Sequence, residues 1–173
     1  LRPYDVVIGS YHNSPSGEDY YFMDVGQMTD EEIHLSLKGY FDKLIRTVRT
    51  TDLDVLAHIT YPLRYIVGDH GRQVSLDDYE EQLHLLLTSV IERGISLEIN
   101  SSGLRQKIGE PLPNHKILKK YRQLGGTMVS LGSDSHNTKD LSRGIKECTQ
   151  MVADLGFTHI TYFRKRRPIQ IPI

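Results

Sequence analysis

Short apolar runs recur along this chain at intervals long enough to hold a helix, and that alternation constrains the fold more than any other feature. Strands are predicted near 5–10, 54–59, 96–100, 127–133 and 159–163. Between the first two, Thr29 precedes Glu32 by three residues, a capping box, and Ile33, Leu37, Phe41, Leu44, Ile45 and Val48 recur at helical steps, so a helix is expected over 30–50. A second, over 76–93, carries Tyr79, Leu83, Leu86 and Val90 on one stripe and stops at Gly94. A third, over 115–124, follows Pro113-Asn114, and a fourth is expected from the stripe Leu141, Ile145, Cys148, Val152 and Leu155 before Gly156. Strict alternation of strand and helix predicts an α/β fold of about five parallel strands joined by right-handed crossovers, as a barrel or an open sheet.

A length of 173 residues suits a single domain, usually about 100–200 residues. With 38% hydrophobic and 25% charged residues the chain can bury a core, which excludes a disordered polyelectrolyte. Its apolar stretches are interrupted too soon to span a bilayer, so no membrane partner is expected. Twenty-one basic against 22 acidic residues give a charge of −1, which disfavours a nucleic-acid track, and the only basic run, Arg164 to Arg167, reads as a solvated tail or a local patch beside the substrate. A lone Cys148 leaves no internal disulfide and no zinc ribbon, and the expected location is the cytoplasm.

The chemistry gathers at strand ends. The first strand runs into Ser10-Tyr11-His12, the second into Ala57-His58, the third into Glu98-Ile99-Asn100 and the fourth into Ser133-Asp134-Ser135-His136. In a parallel α/β fold these ends share one rim, where the loops carry function. One histidine at a strand end is more often a hydrogen-bonded surface residue than a ligand. Three histidines and an aspartate on one rim point instead to a Zn, Fe or Mn site that activates water and neutralises an anionic substrate. On extended backbone Asp134 and His136, at i and i+2, would face the same way. His34, His84, His115 and His159 fall in helices or at element starts and read as structural, and His70 as a loop residue. Two long loops, 11–28 and 60–74, follow strands. Tyr11, Tyr20 and Tyr21 of the first are expected to pack over the mouth of the site.

Four phrases, Val7-Ile8-Gly9-Ser10-Tyr11-His12, Asp54-Val55-Leu56-Ala57-His58, Leu97-Glu98-Ile99-Asn100-Ser101-Ser102-Gly103-Leu104-Arg105 and Leu131-Gly132-Ser133-Asp134-Ser135-His136, resemble in this order the later motifs of the polymerase-and-histidinol-phosphatase (PHP) family. Within it the similarity is greatest to the monofunctional histidinol-phosphatases, and the Glu-Ile-Asn-Ser-Ser-Gly-Leu-Arg phrase discriminates most. The resemblance implies a distorted (β/α)7 TIM-like barrel with a three-metal site that hydrolyses a small-molecule phosphate ester, L-histidinol phosphate, in histidine biosynthesis. By motif, His12 and His58 would bind one ion, Asp134 a second and His136 a third. No protein nucleophile is implied, because a metal-activated water attacks. Arg105 and, more weakly, Arg64 are candidate phosphate clamps. The family's opening His-x-His motif, a further histidine and a bridging glutamate have no counterpart here, and Glu98 belongs to the later phrase, where it supports the barrel interior or rim. The chain is thus expected to be one partial PHP barrel domain, with Leu1 inside that domain. It would be weak or inactive alone and would expose a sheet edge able to pair with the remaining part or with another copy. The rival functions are a polymerase-associated nuclease acting on nucleic acid and a non-catalytic fragment.

Overall fold

The structure, a computed structural model, describes residues 4–173. Its first helix, α1 (Asp30–Thr50), forms where the periodicity places it. The Thr29 hydroxyl accepts from the Glu32 N–H, and the Glu32 carboxylate accepts from the Thr29 N–H, so two of the otherwise unpaired donors at the helix start are satisfied. Leu37, Phe41 and Leu44 are fully buried on its inner stripe, each worth roughly 1.5–3 kcal/mol relative to an exposed side chain.

Four strands, β1 (Ile8–Gly9), β2 (Val55–Leu56), β3 (Ser96–Asn100) and β4 (Val129–Gly132), pair in parallel in sequence order. Ile8 lies opposite Val55, Val55 opposite Ser96, and Leu97 opposite Val129. All five residues of β3 are buried, the pattern of an inner strand of a parallel sheet covered on both faces. The crossovers are α1, α2 (Glu80–Glu92) and α3 (His115–Gln123), and α4 (Ile145–Asp154) follows β4. Two arginine bonds tie α1 to the second crossover: Arg49 Nε donates to Ser89 Oγ, and Arg93 donates to the Val48 carbonyl. No helix among the described residues is long and apolar enough to cross a membrane.

The structure departs from the sequence expectation in several places. The expected fifth parallel strand, β5 (His159–Arg164), pairs antiparallel with an unforeseen β6 (Arg167–Pro172) in a separate hairpin. It lies beside β4 through a Ser130 Oγ bond to the Thr161 carbonyl. The basic run is therefore a hairpin turn and not a solvated tail. Arg166 reaches back to Asp52 at 2.9 Å and to Asp54, and its N–H donates to the Asp5 carbonyl. The ladders of β1 and β2 are two residues long, shorter than the apolar runs that mark them. The second helix opens with a 3-10 turn over Leu76–Tyr79 before α2 begins. In the 60–74 loop, Arg64–Asp69 winds into a π-helical turn, with the His70 N–H donating to the Tyr65 carbonyl. Leu141, placed on the fourth stripe by the sequence, is exposed, because α4 starts four residues later and only Cys148 and Val152 of that stripe are buried.

Candidate metal centre

A cleft of about 690 Å³ opens at the C-terminal ends of β1 to β4, and all six sequence-predicted residues, His12, His58, Arg64, Arg105, Asp134 and His136, line it. His12 and His58 follow β1 and β2, which are neighbours in register, so the two imidazoles face each other with Nε2 atoms 3.4 Å apart. Two nitrogens bound to one tetrahedral zinc at about 2.0–2.1 Å lie roughly 3.3 Å apart, so this pair has the spacing of two ligands on one ion. His58 Nδ1 is buried with no partner among the described residues. Burial, then the neighbouring His12, pushes the His58 imidazole down to about 4, so it stays neutral and its lone pair is available near neutral pH. These observations fit a divalent cation.

The second pair is less regular. Asp134 takes a left-handed backbone (φ 48°), so it and His136 do not sit on a straight extended segment as expected. His136 Nδ1 lies 3.0 Å from the Asp134 carbonyl and 3.9 Å from its Oδ1, and the His136 side chain is largely exposed. Asp134 Oδ2 is held by Arg64 at 3.2 Å. Burial alone would raise the Asp134 carboxyl, but the Arg64 hydrogen bond and charge, with His58 and His136, carry it below its ordinary value. Among the described residues no three His, Cys, Asp or Glu side chains gather as a single ready-made cluster, so the four candidates come as two pairs.

Both arginines converge on Asp134. Arg64 Nη2 also donates to Ser102 Oγ at 2.8 Å, and Arg105 Nη2 donates to the Asp134 carbonyl at 2.9 Å. Arg64 Nε and Arg105 Nη1 are buried and have no partner among the described residues, which leaves donors for an anion. Of the tyrosines, Tyr20 is buried against Ser36, whereas Tyr21 lines the cleft.

Three residues at the site were not singled out, or were singled out for a different role. Asp19 and Tyr61 pack on His12, and no motif announced them; their only signal is that each lies in a long loop after a strand. Glu98, assigned to the barrel interior or rim, is more specific than that: its Oε2 accepts from the His58 N–H at 2.9 Å and from Asn100 Nδ2 at 3.2 Å. Burial raises its carboxyl, against the lowering effect of those two bonds. The His58 backbone it holds has φ 25°, a strained value for a non-glycine residue, and both strained strand-end residues, His58 and Asp134, are candidate ligands.

The His58 shift predicts a pH-dependent stability for metal-free protein. Unfolded His58 takes a proton near 6.5, while the folded state refuses it until about 4. Stability therefore falls as pH drops through this window, by roughly 3 kcal/mol in total. The raised Glu98 carboxyl acts with opposite sign toward the acid end and offsets part of the loss. Urea unfolding with chelator present should show a shallower decline between pH 6.5 and 4.5 for His58→Gln than for the parent. Parallel curves would refute the assignment.

No family model matches the chain. It is 28% identical over 154 residues to a probable histidinol-phosphatase of Thermotoga maritima, covering 88% of this chain and 63% of that protein. Against the probable histidinol-phosphatase of Clostridium acetobutylicum it is 29% identical over 165 residues, covering 94% and 62%. It superimposes with TM-score 0.74 and 21% identity on the crystal structure of histidinol phosphate phosphatase from Lactococcus lactis subsp. lactis complexed with zinc, L-histidinol and phosphate, covering 97% of this chain and 63% of that one. The chain thus spans a little under two thirds of the length of the proteins it matches. It has an α/β fold shared with a solved histidinol phosphate phosphatase, and the resemblance to histidinol-phosphatases drawn from its strand-end motifs is borne out.

Proposed function

We propose that this chain forms part of the active site of a metal-dependent phosphomonoester hydrolase acting on L-histidinol phosphate, within a PHP barrel. The observation that carries this reading is the convergence of His12 and His58 Nε2 at 3.4 Å in the same cleft as two half-buried arginines, each with a buried nitrogen that has no partner among the described residues. The names of the relatives supply the substrate. His12 and His58 would hold one divalent cation, and Asp134 and His136 would contribute to the others. Bound there, such ions activate water and neutralise phosphate charge. Arg64 and Arg105, beside Asp134, would hold phosphate oxygens and fix the ester for in-line displacement. Tyr61, beneath the Arg64 guanidinium at 5.2 Å, keeps that arginine in place. Two pairs of ligands fall short of the roughly four that each zinc takes. We propose that the remainder lie in the part of the relatives' length that this chain does not span.

The test measures zinc and manganese binding by equilibrium dialysis, and phosphate release from L-histidinol phosphate by a protein containing these 173 residues at the relatives' full length. His58→Ala should weaken metal binding at least tenfold and Arg64→Ala should raise KM for the ester with little change in metal content. Unchanged metal binding in His12→Ala and His58→Ala would overturn the reading.

A further inference from the structure

Asp19 belongs to no motif, yet three groups meet on its carboxylate. Oδ1 accepts from the Tyr61 hydroxyl at 2.9 Å and from the Tyr21 N–H at 2.8 Å. Oδ2 lies 3.7 Å from His12 Nδ1. Tyr61 in turn stacks on the His12 ring, with centroids 4.2 Å apart and planes 15° from parallel, and its hydroxyl accepts from Tyr65 at 3.0 Å. One side of the His12 imidazole is thus faced by a carboxylate and one of its faces is covered by a phenol, while Nε2 is left pointing at His58 Nε2.

We propose that Asp19 and Tyr61 are positioning residues for His12, which hold its ring with the proton on Nδ1 and present the Nε2 lone pair to the cation shared with His58. This rests on the metal reading above. The physical reason is that an imidazole ligand needs its other nitrogen to carry the proton, and a carboxylate facing that nitrogen favours this tautomer and fixes the ring's rotation. At 3.7 Å the contact is longer than a hydrogen bond, so in the metal-free protein the carboxylate acts through its charge. The Tyr61 hydroxyl and the Tyr21 N–H keep Asp19 from turning away. Tyr61 comes from the turn after β2, three residues beyond His58, so one short segment supplies one ligand and the support of the other.

Asp19→Asn keeps the shape of the side chain and its acceptor for the Tyr21 N–H, and removes the charge. Tyr61→Phe keeps the stack and removes the hydroxyl, so it tests the same arrangement if the asparagine variant folds poorly. Two measurements are made on each: zinc affinity by competition with a chelating dye, and the tautomer of His12 from ¹⁵N shifts of the metal-free protein at neutral pH. Asp19→Asn is expected to weaken zinc about 10–100-fold, the usual effect of losing an outer partner of a ligating histidine, and to mix the His12 tautomers. Tyr61→Phe should move both readouts in the same direction by less. A role confined to the loop would leave the tautomer untouched. The proposal is overturned if both variants keep the parent tautomer and bind zinc within twofold of the parent while His12→Ala loses it. If His12→Ala binds zinc as tightly as the parent, the metal reading fails and the proposal with it.

Discussion

Gly103→Ala is expected to destabilise the protein by about 3 kcal/mol or more, the upper end of what overpacking a closed interior costs. Gly103 lies buried in the 3-10 turn Ser101–Arg105 that follows β3. A methyl group there would run into the Glu110 carbonyl oxygen and lie 3.4 Å from the Ile108 side chain. The obstacle is backbone, and that backbone cannot drift. Asn100 and Leu112 exchange both main-chain hydrogen bonds, at 2.9 and 3.0 Å, which pins the loop from both sides, and Leu112 is itself buried. For a chain of this size the loss corresponds to a fall in Tm of roughly 10 °C. Arg105, two residues on, would be displaced from the Asp134 carbonyl at the same time. Thermal unfolding should be compared with Leu104→Ala, next door but partly exposed. Similar small shifts in both variants would show that the loop yields and the explanation is wrong.

The same region shows which parts of the molecule could be read in advance. His12, His58, Asp134 and His136 were legible because parallel strands deliver their C-terminal ends to one rim, so residue type at a strand end translates directly into place. α1 was legible for a different reason: its cap and its apolar stripe are local, and Thr29 and Glu32 satisfy each other without help from the rest of the fold. The hairpin was hidden. Pro168 and Pro172 argue against a strand, and they are tolerated because β6 pairs on one side only. Its turn, Lys165-Arg166, has two left-handed residues where Asn-Gly would be the usual signal. What holds the turn is long range: Arg166 on Asp52 and Asp54, and the Lys165 N–H on the Asp5 carboxylate. No window of sequence contains both halves of that arrangement. Asp19 and Tyr61 were missed on the same ground, since 42 residues separate two side chains that meet on a third.

Gly132→Ala is expected to cost a comparable amount by a route that passes through the candidate ligands. The added methyl would collide with the Glu98 carboxylate, approaching its carboxyl carbon to 3.0 Å and its γ carbon to 3.4 Å. The clash falls on Oε1, and a shift of the carboxylate away from it draws Oε2 off the His58 N–H and Asn100 Nδ2. A buried donor that loses a charged acceptor costs about 1.5–3 kcal/mol, and the crowding about 1–3 kcal/mol more, so a total near 4 kcal/mol is expected. At its strained φ of 25° the His58 N–H is held by Glu98 Oε2, and Asp134 follows Gly132 by two residues, so zinc affinity should fall with stability. A double-mutant cycle with Glu98→Ala isolates the cause. Glu98→Ala alone removes the acceptor and is itself destabilising, but in that background the alanine at 132 meets empty space, so the pair should be less damaging than the sum by about 2 kcal/mol. Strict additivity would mean that Glu98 does not link β4 to the His58 turn. The coupling, if measured, gives the buried carboxylate its function: one side chain, braced on β3, fixes the strand ends on both sides of it.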